Sequence, residues 1–504
     1  MPLCFFGIVI EDSGGFKLKF QVFKAGKKTD DFVLCGAHMF GTDGIAVRRA
    51  QIKYDDGVIS CERPNADTCG LSLLWQVEGF GRVMLPTTCL PEREKPYILN
   101  VELARAKLMQ VINKREDWAF FSTADGLGDI SKEANDFFIK AIQNINQPAL
   151  ASQLADKALQ KAVLLGEKLA VKQANTAFDL RIRNRGFGRG CIGYNVDVSN
   201  LNKPGYVERA AELFAYVTVP VNWQMIERVK GHYDFSVFDQ ALTVFQSRKM
   251  AVGAGPLICL SPQFLPDWLM ENENSFEEVR DNAYRFVSAM VSRYANRIRV
   301  WRVVSCLNIV NHFGFSFEQI LELTRACTMA AKSVGDRSKK LIEISNPWGE
   351  YYSQLVNTIP PMVYLDMVVQ SGMNFDGFGL KMPMGSAVMG RQIQDMMHIS
   401  SMLDCFLHLG KALHLTDVEV PSMPNTDKNG GFWHRIWDEQ QQALWLDNFY
   451  RIAFSKPFVE TITYSHLSDV ETSRISKSGL LQSDLTPKKS FHVIKKMGDR
   501  IFGH

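Results

Sequence analysis

The chain has no CxxC pair, although it carries ten cysteines in 504 residues. Scattered cysteines of this kind argue against a zinc site or a disulfide framework and for free thiols in a reducing compartment. No apolar run reaches the roughly 20 residues that a membrane-crossing helix needs, so no membrane is expected as a partner. The formal net charge is only +3, too small an excess to draw in nucleic acid or anionic lipid. A glycine-rich phosphate loop is also missing. FGRG at 187–190 does not complete GxGxxG and comes before the first strand of its region instead of after one. The opening segment MPLCFFGIVIEDSGG turns acidic after a short apolar stretch, without a basic start or a small-residue cleavage site. It therefore reads as no secretion signal, and the cytoplasm is the expected compartment. Nothing in the residues implies a metal or an organic cofactor.

What is present is ordinary for a soluble globular protein: 46% hydrophobic and 22% charged residues. The length allows two or three domains. Residues 1–93 read as short strands, FKLKFQVF, FVLCGAHMF, IAVRRAQIKY, GLSLLWQV and GRVMLPT, separated by Gly, Asp and Asn turns. A β-sandwich or jelly roll would close them. Residues 94–180 change period. VELARAKLMQVINK and the run ALASQLADKALQKAVLLGEKLAVKQANTAF carry apolar residues three and four apart. This is a helical connector packed on its neighbours, or alternatively an interaction helix.

Residues 186–500 alternate short β-type runs with helical segments. The strands are expected at 190–196, 216–221, 251–258, 300–305, 341–345, 377–382, 412–420 and 460–466. Eight such units suit an α/β fold of the closed (β/α)8 TIM-barrel kind. A doubly wound sheet would alternate in the same way but would normally bring the phosphate loop that is missing here. In a barrel, function sits at the carboxyl ends of the strands. Those ends carry Asn222 and Trp223, then Ser305 and Cys306, then Asn346 and Trp348, then Lys381, then Asp417 and Glu419, and last His466 and Asp469. Two residues apart on one strand, Asp417 and Glu419 point the same way.

Five segments of this region share a pattern. They are TVPVNWQMIERVKGHYDFSVFD (218–239), GPLICLSPQFLPDW (255–268), RYANRIRVWRVVSCLN (293–308), LHLTDVEVP (413–421) and GLLQSDLTPKKSF (479–491). In this order they resemble the family-10 glycoside hydrolases, the xylanase family, over the barrel only. Gly255, Gln263, Pro266 and Trp268 stand where that family has them. The resemblance implies a barrel that acts on a β-linked polysaccharide or oligosaccharide of the xylan type, with two glutamates at its mouth. Members are usually exported, in tension with the compartment read above. The departures fall on the chemistry. By the resemblance, Cys306 occupies the position of the acid/base glutamate and Ser305 that of the asparagine before it. Arg302 replaces an aspartate, and Asp417 takes the place of the nucleophilic glutamate. The strand-3 positions read Pro256, Leu260 and Ser261, the strand-6 positions Lys381 and Pro383, and the strand-8 positions Ser465 and His466.

Retaining hydrolysis needs two carboxyl groups about 5–5.5 Å apart. A thiol is a weak hydrogen-bond donor and a poor match for protonating a glycosidic oxygen. Aspartate is one methylene short, and a misplacement of about 1 Å can cost on the order of 10²-fold. Asp417, Cys306 and Glu419 are thus the catalytic candidates, with Glu227, Glu350 and Asp469 as places to which a carboxylate could have moved. Cys306 reads as a small buried hydrophobe, or as a reactive thiol if His312 or His466 reaches it. Asn222, Trp223, Gln263, Trp268, Trp348, Lys381, Trp433, His434 and His466 are candidates for holding the sugar, the aromatics by stacking. The run FWHRIW (432–437), which also holds Arg435 and Trp437, is expected over the mouth, behind a turn-rich lid PSMPNTDKNGG (421–431). Three readings follow: a divergent hydrolase, a non-catalytic sugar-binding barrel, and a structural or regulatory protein with a vestigial mouth.

Overall fold

A computed structural model describes residues 16–29, 31–63, 67–118, 127–271, 274–424, 428–471, 473 and 475–503. The opening segment read for a secretion signal and residues 425–427 of the expected lid lie outside them.

The first layer is β-rich. β1 (Phe16–Gln21), β2 (Phe23–Lys24), β3 (Lys27–Lys28), β4 (His38–Gly41), β5 (Gln51–Asp55), β6 (Val58–Arg63), β7 (Cys69–Val77), β8 (Gly81–Pro86) and β9 (Tyr97–Ile98) follow one another. One sheet runs β5-β6-β1-β9 and a second contains β8-β7-β4. Leu18, Phe20 and Ile59 of the first share a buried core with Leu71, Leu73, Val83 and Leu85 of the second. Two expectations need correcting. Val58–Arg63 is a strand that the sequence reading passed over. Only the end of FVLCGAHMF is a strand, because Gly36 adopts φ +61 and takes the chain out of the extended region.

The connector folds as α1 (Leu99–Asp117), α2 (Leu127–Gln143) and α3 (Pro148–Arg183). α3 has 36 residues, which makes it about 54 Å long. Proline at its first position needs no amide partner there. Ala151, Ala155, Ala158 and Ala162 are fully buried along one stripe, so neighbouring helices approach closely.

Eight parallel strands then close into a barrel, with neighbours in chain order. They are β10 (Ile192–Asn195), β11 (Tyr216–Val219), β12 (Ala251–Ala254), β13 (Val300–Ser305), β14 (Lys339–Ser345), β15 (Gly377–Pro383), β16 (Ala412–Glu419) and, after a short β17 (Phe432–Trp433), β18 (Val459–Tyr464). Each lies within or beside its expected segment. The helices are α4 (Tyr206–Leu213), α5 (Trp223–Ile226), α6 (Ser236–Ser247), α7 (Asp267–Met270), α8 (Phe276–Arg293), α9 (Phe317–Ser333), α10 (Pro361–Gln370), α11 (Met396–Asp404), α12 (Glu439–Phe454) and α13 (Lys489–Phe502). Their starts are written locally. Ser275 with Glu278 and Ser316 with Gln319 form reciprocal capping boxes on α8 and α9.

β17 does not join the barrel. It pairs antiparallel with β8 and completes the second N-terminal sheet, with Phe432 opposite Arg82 and Trp433 opposite Gly81. A barrel loop is thereby stitched into the β-layer. A second lock joins connector to barrel. The Lys107 ammonium of α1 lies 2.7 Å from both Asp395 carboxylate oxygens, and both side chains are almost fully buried. Asp395 also caps α11 by accepting the amides of Met397 and His398.

Removing one partner of a buried ion pair strands the other, so Lys107→Ala is expected to cost about 3–5 kcal/mol of unfolding free energy. Denaturant titration reads this, and an unchanged midpoint would refute it. Burial alone would raise the Asp395 pKa, but the Lys107 ammonium outweighs it and holds the carboxyl low. The stabilisation is therefore full above the unfolded carboxyl value of about 4 and fades as pH falls through the folded one.

Candidate functional site

The barrel interior carries opposite charges on adjacent strands. Arg302 of β13 donates to Glu343 of β14 at 3.3 Å and also to the Gly255 carbonyl. Two glycines make this fit. A Cβ on Gly255, at φ +127, would stand 2.5 Å from the Arg302 carbonyl oxygen, and one on Gly379 would stand 3.0 Å from the Glu343 side chain. Ser305 donates to the second Glu343 oxygen and sits 3.3 Å from the Cys306 sulfur. Cys306 turns the chain out of β13 at φ +58, an uncommon setting for a non-glycine residue.

One step around the barrel, the register of β15 and β16 slips at Leu380/Lys381. Leu380 faces Leu415 and Lys381 faces Asp417, which leaves Thr416 as a bulge. The bulge sets the Lys381 ammonium 3.4 Å from Asp417. Ser465, at the end of β18, donates to the other Asp417 oxygen. Burial would raise the Asp417 pKa, but Lys381 and the Ser465 hydroxyl outweigh it and keep this carboxyl below the usual range. Lys381 is raised in turn: burial opposes its charge, and Asp417 more than compensates. Burial pushes the Cys306 thiol up, against the pull of Lys381. At neutral pH the mouth thus holds an ammonium, a carboxylate with a hydrogen bond on one oxygen and an ion pair on the other, and a protonated thiol.

The remaining carboxylates are engaged as well. Glu419 accepts from Ser473 at 2.9 Å and from Ser478, and lies 3.6 Å from His466. Burial raises its pKa. Asp469 is tied to Lys488 at 2.6 Å and to the Gly479 amide. Glu227 accepts from the Trp223 indole at 2.6 Å and the Gly231 amide at 2.8 Å. Glu350 is buried, and one of its oxygens has no hydrogen-bond partner. Burial pushes its pKa up to about 7.

The structure thus brings Cys306, Lys381, Asp417, Glu419 and His466 to the strand ends. It takes several other candidates elsewhere. Trp223 is buried and stacks on Phe286 at 5.0 Å, with no face left for a sugar. Asn222 caps α5 and donates to the Gln263 carbonyl at 3.0 Å, while the Gln263 side chain is exposed. Trp268 is half-buried and donates to the Glu227 carbonyl. Trp348 meets the His398 ring edge-on at 6.0 Å, toward α11. The expectation that FWHRIW covers the mouth is corrected. Trp433 and His434 both bond Glu167 of α3, at 2.7 and 2.6 Å, and Trp433 is buried. Pairing with β8 has turned this run toward the connector. Trp437 is likewise buried and donates to the Gly431 carbonyl at 3.2 Å. His312 has its amide on the Leu260 carbonyl and its ring against Phe313.

Glu343 was missed by sequence reasoning, and Arg302, Ser305 and Ser465 were seen only as departures. The signal was there: single charges of opposite sign inside the apolar runs VWRVVS and LIEIS, on consecutive strands. Among the described residues no group of three or more His, Cys, Asp and Glu side chains is placed to hold a metal. No described helix is long and apolar enough to cross a membrane.

A closed parallel barrel with charged side chains gathered at the carboxyl strand ends is a (β/α)8 barrel, with the candidate site at the end where that fold carries function. The pattern of glycosyl hydrolase family 10 matches residues 184–318. The Arabidopsis thaliana protein "Endo-1,4-beta-xylanase 5-like" is 22% identical over 367 residues, 71% of this chain. "Endo-1,4-beta-xylanase 5" of the same plant is 22% identical over 356 residues, 68% of this chain. The chain spans 59% and 56% of the lengths of these two relatives. Native xylanase 10B from Thermotoga maritima superposes with a TM-score of 0.50 at 18% identity, covering 64% of this chain and 99% of that one. Over residues 184–318 the chain is thus similar to glycosyl hydrolase family 10, and over its barrel to plant xylanases.

Glu350 gives a direct check on burial. Its raised pKa means that folding opposes its ionisation, so stability falls as pH rises from the unfolded carboxyl value toward about 7. Glu350→Gln is expected to be more stable than the parent by about 3 kcal/mol at pH 8 and nearly equal to it at pH 4. Thermal melts at the two pH values would contradict this if the difference did not change.

Proposed function

We propose that the barrel mouth grips a β-linked sugar chain of the xylan type and cleaves it weakly or not at all. The observation that carries this is the Lys381–Asp417 pair. The carboxylate at the nucleophile position faces an ammonium and accepts from Ser465, and both partners stabilise its charge and so weaken it as a nucleophile. At the acid position Cys306 supplies a thiol whose pKa is raised. Loss of general acid catalysis costs about 10²–10⁴-fold, and a set-back nucleophile about 10²-fold more. The same groups suit binding. The Lys381 ammonium, the Asp417 carboxylate and the His466 ring are partly exposed at the strand ends and are donors and acceptors for sugar hydroxyls. The family, and the xylanase names of its relatives, support the choice of sugar.

One observation favours a second reading. Burial raises the Glu419 pKa, and Glu419 stands 3.6 Å from His466. Burial outweighs the opposing pull of His466, and a carboxyl with a raised pKa is the better proton donor, so a divergent hydrolase would use Glu419 as its acid.

Calorimetry and a reducing-end assay with xylo-oligosaccharides decide between them. The expected result is saturable binding, with release of reducing ends slower than in retaining hydrolases by about 10⁴-fold or more. Rapid turnover would overturn the proposal. If that turnover vanished in Glu419→Gln and survived in Cys306→Ala, the second reading would take its place.

A further inference from the structure

At the opposite end of the barrel, the amino ends of the strands enclose a cavity of about 330 Å³. Tyr216, Val300, Lys339 and His414 contribute to it from β11, β13, β14 and β16. The chain enters β10 across this floor through RIRNRGFGRG (181–190), four arginines and three glycines in ten residues. The mouth residues described above are at the far ends of the same strands.

The cavity is unevenly charged. Arg181, Arg299 and Lys339 line it, against the single carboxylate Glu460. Glu460 is already spent. It pairs with the Lys339 ammonium and lies 3.3 Å from His414. The Arg181 guanidinium is fixed by the carbonyls of Gly186, Phe454 and Lys456, at 2.9–3.1 Å. These carbonyls hold its geometry but leave its formal charge. Arg299 differs from all of these. Its side chain is exposed and makes no hydrogen bond or ion pair among the described residues. It runs against the glycine loop: a Cβ on Gly188 or Gly190 would come 3.9 or 3.7 Å from its terminal nitrogens. Arg183 at the end of α3 and Arg185 and Arg189 in the glycine loop are exposed and add to the positive field.

We propose that this floor cavity is a binding site for a phosphate dianion, free or as the phosphate monoester of a small polyol or sugar, with Arg299 as the open clamp. A planar guanidinium with free donors matches two phosphate oxygens at once. Two uncompensated positive charges, on Arg181 and Arg299, match a dianion. The volume exceeds that of a bare phosphate and falls within the range of small-ligand pockets, roughly 300–1,000 Å³. A monoester therefore fills the cavity better. The site is independent of the mouth.

Calorimetry on the full chain at constant ionic strength tests this. Inorganic phosphate and glucose 6-phosphate are the probes, and chloride and unphosphorylated glucose are the controls. The expected result is saturable one-to-one binding of both phosphates, tighter for the ester, with neither control bound. Arg299→Ala should weaken binding by about tenfold or more, while its melting temperature without ligand stays unchanged because the side chain is exposed. Arg299→Lys should restore part of the affinity. Equal affinity for the two phosphates still supports the site and assigns it to free phosphate. Absence of saturable binding, or an affinity unchanged in Arg299→Ala, overturns the proposal.

Discussion

Charges placed inside a closed barrel must neutralise one another, because water cannot do it for them. That constraint fixes the mouth of this protein. Arg302 on β13 requires Glu343 on β14, and Lys381 on β15 requires Asp417 on β16. Each pair spans neighbouring strands, and serine hydroxyls take up an oxygen of each carboxylate. The interior is therefore electrostatically closed before a ligand enters. A catalytic carboxylate works because one of its states is left unsatisfied until the transition state forms. Here Asp417 already has a partner on each oxygen, and the proposal of weak cleavage rests on that.

The layers outside the barrel obey a related rule about backbone groups. The edge of the second N-terminal sheet would present unpaired amides and carbonyls. Phe432–Trp433, drawn from the loop after β16, covers β8. The loop is thereby committed to an interface, and its two polar rings end on Glu167 of the connector. The loop has become part of the packing between the barrel and the layers outside it.

The two ends of the barrel differ in how their charges are spent. At the carboxyl ends, each candidate carboxylate except Glu350 has named partners on both or one of its oxygens. At the amino ends, one guanidinium is left open beside a glycine loop. Barrel floors usually serve stability. The Arg299 guanidinium is the group that the proposed anion would engage there.

Much of this was legible along the chain. The alternation of short apolar runs with helical periods located all eight barrel strands, because the period of a strand and of a helix is a local property. The resemblance also set Cys306 and Asp417 against two glutamates of the xylanase family from the residues alone. What the chain could not announce depends on partners far away in sequence. That Lys381 lies against Asp417 follows only from the Thr416 bulge. Trp223 reads as a sugar platform until Phe286 covers its face. Trp433 and His434 read as a roof over the mouth until β8, some 350 residues earlier, captures them. Local pattern decides which elements form, since it records the solvent each residue prefers. Which charge meets which, and which aromatic keeps a free face, is decided only when distant strands are brought into register.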